Sequence, residues 1–179
     1  MPNDDYHRST SESHFGPYAD HDFMSVMRKF VDNGLEEGWF IGRSDVRNAF
    51  SNIAYSYDLA CSLAQRVEDY VVLNIAAGFG HAYTPAAFLN VSRVIEASVE
   101  EECGEGVFAV KTDDMISCAS TREKCDNVLQ AGEERVRVLF GPDRIHPDKR
   151  LGPATRLGVL GWELDTEKFT LAPPTRKLE

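Results

Sequence analysis

The sequence predicts an α+β fold: an antiparallel sheet with helices packed on one face, plus a C-terminal β-hairpin. Three observations lead there. Apolar runs of strand length alternate with longer stretches of helical periodicity along the 179 residues. Two pairs of these runs are separated only by polar, turn-permissive residues, which makes hairpins rather than crossover connections. A chain of this length buries roughly two-thirds of its unfolded surface, so its core closes without disulfides or a structural metal. The four cysteines, Cys61, Cys103, Cys118 and Cys125, accordingly show neither a C-x-x-C pair nor zinc spacing and read as reduced thiols of an intracellular protein.

Residues 1–25 are rich in Asp, Ser, His and Tyr without periodicity and read as an acidic arm, disordered or loosely docked. His7, His14 and His21 recur every seven residues, too far apart to chelate a metal together, and fit a solvated tail. The arm has neither the basic n-region nor the apolar h-region of a secretory signal. No apolar run approaches the ~18 residues of a membrane span. The expectation is an intracellular protein, cytoplasmic or nuclear, with no membrane partner.

Phe23, Met27, Phe30 and Val31 fall at helical spacing before the stop signal Asn33-Gly34. Gly38 to Val46 reads as a short strand ending at Asp45. From Ala49 to Val72, Ala54, Leu59, Leu63 and Val67 suggest helical stretches, and Tyr70 to Ile75, apolar and β-branched, reads as a buried strand. After the small-residue loop Ala76 to His81, Thr84-Pro85 opens a helix whose apolar stripe is Phe88, Val91, Ile95 and Val99. A turn at Gly104-Glu105-Gly106 leads into the strand Val107 to Val110. With Met115 to Cys118 that strand makes a hairpin carrying Asp113 and Asp114 at its tip. Ser120-Thr121-Arg122-Glu123 is a capping-box pattern that predicts a helix over 121–139, with Cys125, Val128, Leu129 and Val136 inward. Gly141 to Pro153, with three prolines, reads as loop. Leu157 to Trp162 and Phe169 to Ala172, joined by a turn at Asp165-Thr166-Glu167, form the last hairpin.

Asp45 at a strand end and Asp113-Asp114 at a hairpin tip are the candidate chemistry. Carboxylates brought close repel one another unless a cation neutralises them. Magnesium takes oxygen ligands, often one or two carboxylates together with substrate phosphates. Two such ions clamp the attacking hydroxyl and the leaving oxygen of a phosphoryl displacement. Taken singly, each feature reads as an ordinary turn or strand terminus, since Asp favours turns; it is their conjunction that points to a site. An unrelated acidic α+β domain with chance motifs would leave Asp45 far from Asp113.

Taken together, the motifs resemble the reverse transcriptase palm of long-terminal-repeat retroelements over residues 30 to 175. Ser44-Asp45-Val46-Arg47-Asn48-Ala49-Phe50 looks like the family's first palm motif, an Asp followed by an aromatic five positions on. The resemblance implies that Asp45 binds metal and that Phe50 is the steric gate under the sugar of the incoming deoxynucleotide. Phe79-Gly80-His81-Ala82-Tyr83-Thr84-Pro85-Ala86-Ala87-Phe88 is similar to the second motif, which implies contact of Phe79, Gly80 and Pro85 with nucleotide and template. Val110-Lys111-Thr112-Asp113-Asp114 looks like the third motif, with Lys111 where the family has an aromatic. It implies metal-binding roles for Asp113 and Asp114. Lys149 matches the lysine proposed to protonate the leaving pyrophosphate, and Leu160-Gly161-Trp162 resembles the hairpin that grips the primer.

The resemblance therefore implies an RNA-directed DNA polymerase domain with two Mg2+ ions and a deoxynucleotide. The implied organisation is an arm at 1–25, a palm-like domain at 26–155, and a primer-grip-like hairpin and tail at 156–179. The template-primer, RNA or DNA, is expected to bind weakly, because 19 Lys and Arg against 29 Asp and Glu give a net charge of -10. Basic residues are scattered ahead of Asp45, and the family's thumb and RNase H domains would follow Glu179. The implied state is thus an isolated palm with weak or lost activity, or one completed by a partner chain supplying fingers and thumb. The alternative is a non-catalytic binding or regulatory protein that keeps the palm fold.

Overall fold

The computed structural model describes residues 23–81, 83–104 and 106–174. Most of the acidic arm, with His7, His14 and His21, lies outside them, as do Ala82, Glu105 and residues 175–179. The chain divides into two compact units, one made of Asn48–Val91 and the other of residues 23–47 with 92–174.

The larger unit is built on a four-stranded antiparallel sheet. Its strands are β1 (Phe40–Asp45), β4 (Val107–Lys111), β5 (Asp114–Ala119) and β6 (Leu151–Ala154), in the order β4-β5-β1-β6. β5 is central, pairing with β1 from Phe40 opposite Ala119 to Asp45 opposite Asp114, and with β4 from Val107 opposite Cys118 to Lys111 opposite Asp114. Because side chains alternate between faces, each strand serves two layers. One face packs on helix α4 (Arg122–Phe140): Ser117 meets Cys125, and Phe108 lies against Gly132. A Cβ on Gly132 would stand 2.3 Å from the Phe108 ring, so this close crossing requires glycine. The other face carries Ile41, Val107, Ala109, Ile116 and Cys118. It is covered by Val26 and Phe30 of helix α1 (Phe23–Asp32) and by Val159 and Leu164 of the C-terminal strands. The fold is the expected α+β class, an antiparallel sheet with helix α4 on one face and α1 with the C-terminal strands on the other.

The helix α3 (Tyr83–Cys103) buries Phe88, Ile95 and Val99, as its stripe predicts. Glu96 on it accepts the backbone N–H of Val110 at 2.6 Å and pairs with Lys29 of α1 at 2.8 Å. At the start of α4 the N-cap is Thr121, whose hydroxyl accepts from the Lys124 N–H at 3.2 Å. Glu123 therefore sits one position too early to close a capping box.

Two readings of the C-terminal region are corrected. The predicted loop at 141–153 holds two 3-10 turns, Pro142–Arg144 and Pro147–Lys149, and the start of β6. Pro153 is accepted there because β6 is an edge strand with no second ladder to donate to. The predicted strand from Leu157 to Trp162 is broken by a turn at Leu160-Gly161, both at positive φ of 50° and 81°. The result is a three-stranded sheet, β7 (Arg156–Val159), β8 (Trp162–Asp165) and β9 (Thr170–Ala172).

The smaller unit has a 3-10 turn at Phe50–Asn52, helix α2 (Tyr57–Ser62), and a hairpin of β2 (Gln65–Val67) and β3 (Tyr70–Val72). Leu63 and Val67 are not helical. Tyr70, Val71, Val72, Leu73 and Ile75 are exposed, not buried as the apolar run suggests. A run of β-branched residues favours extended backbone but does not say what covers it.

Candidate functional site

Asp45 closes β1 and Asp114 opens β5, and the register sets their Cα atoms opposite one another. Asp113 occupies the turn just before β5, and its carbonyl accepts the N–H of Val46 at 2.7 Å. The acids at the strand end and at the hairpin tip are therefore neighbours, which the reading of an unrelated domain did not expect. Lys111 is opposite Asp114 on the other side of β5.

Each of the two paired acids already faces a cation. Asp45 is 4% exposed, and the Nζ of Lys149 donates to both its oxygens, Oδ1 and Oδ2, at 3.0 Å each. Lys149 ends the 3-10 turn Pro147–Lys149, and that turn is tied back to the site by the N–H of His146, which donates to the Asp45 carbonyl at 3.0 Å. Arg43, two residues before Asp45 and on the same face of β1, places Nε 3.1 Å from Asp114 Oδ1. The two atoms are out of line for a hydrogen bond, so the contact is ionic and Asp114 Oδ1 is buried without a hydrogen-bond donor. Arg43 also donates through its terminal guanidinium nitrogen to the Gly158 carbonyl at 3.2 Å. Burial pushes the Asp114 carboxyl above the ordinary carboxylate range. Arg43 opposes that rise, Asp113 and Asp45 add to it, and Lys149 opposes it. Among the described residues no group of three or more His, Cys, Asp or Glu side chains is arranged to hold a metal ion by itself.

Two contributors were missed in the sequence. Arg43 was legible in principle, since i and i+2 on a strand share a face and place it beside Asp45. Arg150, next to Lys149, donates to buried Glu133 of α4 at 3.0 Å and to Asp126 at 2.8 Å. Glu133 falls on the inward stripe of α4, and a carboxylate at an inward position calls for a cation.

The remaining candidates divide between the two units. In the smaller unit, Phe50 meets Phe79 edge-on at 5.4 Å between ring centroids and Phe88 at 6.1 Å. Phe79 is 95% exposed beside Gly80, which has φ of +86°. An open groove of about 470 Å³ beside them is lined by Ser51, Tyr55, Asn74, Phe79, Gly80 and His81, among others. Pro85 is exposed within the first turn of α3. In the larger unit, Leu160 and Gly161 form the β7-β8 turn, with Leu160 packed on the core, and Trp162 stacks on Phe23 at 5.8 Å.

No family model and no curated protein matches the chain. Solved structures do. The foamy viral protease-reverse transcriptase in complex with an RNA/DNA hybrid is similar with a TM-score of 0.61 and 14% identity, over 76% of this chain and 17% of that one. A second structure of that viral protein, in complex with double-stranded DNA, gives 0.61 and 13% over 79% and 23%. Apo telomerase from Candida tropicalis, truncated of its C-terminal domain, gives 0.54 and 8% over 84% and 38%. The chain spans well under half the length of these proteins, and the likeness establishes a reverse-transcriptase-like fold.

Proposed function

We propose that the chain is the palm of an RNA-directed DNA polymerase of the long-terminal-repeat retroelement type, working by two-metal nucleotidyl transfer. The observation that carries this reading is the register of Asp45 opposite Asp114, with Asp113 in the adjoining turn, within a reverse-transcriptase-like fold. The donors suit magnesium: they are hard oxygens, and Asp114 Oδ1 has a lone pair that no hydrogen bond claims. Two carboxylates suffice when substrate phosphates complete the octahedron. Asp45, Asp113 and Asp114 would hold the ions, which when bound supply charge neutralisation at the attacking and leaving oxygens.

The chain's own residues supply position and proton. The backbone of Asp45 is fixed by the β1-β5 ladder and its side chain is buried, so the carboxylate is presented from a rigid strand end. Lys149 carries a proton within reach of the site, suited to an oxygen that leaves as an anion. Phe50 would set the choice of sugar. Phe79, Gly80 and Pro85 would meet nucleotide and template, and Leu160, Gly161 and Trp162 the primer strand. An RNA or DNA template-primer is the partner, bound weakly because the net charge of -10 opposes phosphate.

Primer extension on an RNA template with Mg2+ tests this reading. Asp45→Asn and Asp113→Asn should each lower the rate by roughly a hundredfold or more. Extension that survives Asp113→Asn removes that carboxylate from the metal site. A second reading, a non-catalytic binding or regulatory protein with the same fold, is favoured by the cations already on Asp45 and Asp114. It expects no extension and the same template-primer affinity in wild type and Asp45→Asn, measured by fluorescence anisotropy.

A further inference from the structure

We propose that Lys149 is a resident counter-ion of Asp45 that a divalent cation must displace, so that the metal-free chain holds this carboxylate closed. The inference rests on reading Asp45 as a metal ligand. It begins from the symmetry of the contact: Nζ lies 3.0 Å from Oδ1 and 3.0 Å from Oδ2, across the open edge of the carboxylate where a dication would sit. An ammonium there both occupies the space and repels a second positive charge.

The two cations of the site differ in how they are held. Arg43 is gripped on two sides, by Asp114 and by the Gly158 carbonyl, so it cannot leave without loosening its hold on β7. The side chain of Lys149 hydrogen-bonds only to Asp45 among the described residues, acting on Asp114 through charge without a hydrogen bond, and it is 48% exposed over a carboxylate that is 6% exposed. It lies on the solvent side of the pair, on a flexible four-carbon stem.

The backbone under that stem is pinned. The Lys149 N–H donates to the His146 carbonyl at 3.1 Å, the His146 N–H donates to the Asp45 carbonyl at 3.0 Å, and Arg150 is clamped to Glu133 and Asp126. Only the lysine side chain has to move for Asp45 to open. The moving part is thus separated from the part that maintains geometry, and metal affinity is lowered by the work of removing an ion pair.

The test uses the whole chain and Mn2+ alone, without nucleotide or nucleic acid, with free Mn2+ read by electron paramagnetic resonance. Lys149→Met should bind Mn2+ about tenfold more tightly than wild type, the gain expected from removing one part-exposed competing charge. In the double variant Lys149→Met, Asp45→Asn that gain should vanish. Equal or weaker binding by Lys149→Met, or a gain that persists in the double variant, overturns the proposal. Removing one partner of a pair can itself unfold a protein, so thermal unfolding by circular dichroism is run on each variant, with Lys149→Gln measured in parallel and held to the same criterion. The outcome separates from the polymerase reading. Failure of primer extension with the Mn2+ gain intact sinks the polymerase alone, and extension without the gain sinks the counter-ion alone.

Discussion

Ser44 separates the two charged residues Arg43 and Asp45 on β1, and its side chain points to the opposite face, where it is fully buried. Its hydroxyl has no hydrogen-bond partner there. A buried hydroxyl that exchanges water for nothing costs stability. Ser44→Ala should therefore raise the unfolding free energy by about 1 kcal/mol in urea titrations. The reverse holds at Gly132, where an added methyl meets the buried Phe108 ring: Gly132→Ala should lower stability by about 2 kcal/mol in the same assay. The thiols give a pH dependence. Burial pushes Cys118 well above the ordinary thiol range and Cys125 up to about 11, while a nearby Ser117 hydrogen bond draws Cys125 partly back. With a folded-state value above the unfolded one, the stabilising contribution is whole below the unfolded value and is lost as pH rises through the window up to the folded value. Wild type should thus lose stability from the ordinary value of 9.0 towards about 11, and Cys125→Ala should flatten that slope. Urea midpoints at several alkaline pH values, under reducing conditions, would show it. Ser44 was visible in the sequence as a polar residue where a strand expects an apolar one; the Gly132 contact was not, because it depends on which ring the helix crosses.

At the scale of elements, α4 shows how local rules survive with a shifted register. Its inward residues Cys125, Val128, Leu129 and Val136 are buried as the periodicity requires, yet its cap is Thr121 acting alone. Thr121→Ala should cost about 1 kcal/mol, read as a lower thermal midpoint, whereas replacing Ser120 should cost little. The hairpin β4-β5 was legible because two short apolar runs flank a polar turn. The β7-β8 turn was hidden, since Leu160 adopts positive φ while packing on the core, a conformation that side-chain preferences disfavour. The edge strand β6 was hidden by its own Gly152 and Pro153, which read as loop until β1 pairs with the residues flanking them, Leu151 and Ala154.

For the molecule as a whole, stability is unevenly distributed. β5 is central, hydrogen-bonded to β4 and β1 and packed on both faces. The β2-β3 hairpin is two strands with every residue exposed. Isolated two-stranded hairpins are marginal in water. Amide hydrogen exchange should accordingly find β5 protected at least about a hundredfold more than β2 and β3. Equal protection in the two would show that Tyr70, Val71 and Val72 are covered in solution. The charge balance belongs to this scale as well: Asp45 and Asp114 are neutralised locally by Lys149 and Arg43, so the excess of acid that opposes nucleic acid is carried by the rest of the chain.

By itself the sequence determined where the strands β1, β4 and β5 lie, that α3 and α4 are amphipathic, and that three acids fall at strand ends. These follow from side-chain periodicity and turn chemistry, which act over a few residues. Tertiary structure alone decided that Asp45 stands opposite Asp114, that Lys149 rather than solvent meets Asp45, and that the apolar run at Tyr70 is exposed. Pairing register, charge partners and burial depend on residues brought together from distant parts of the chain, and no local pattern records which of them will meet.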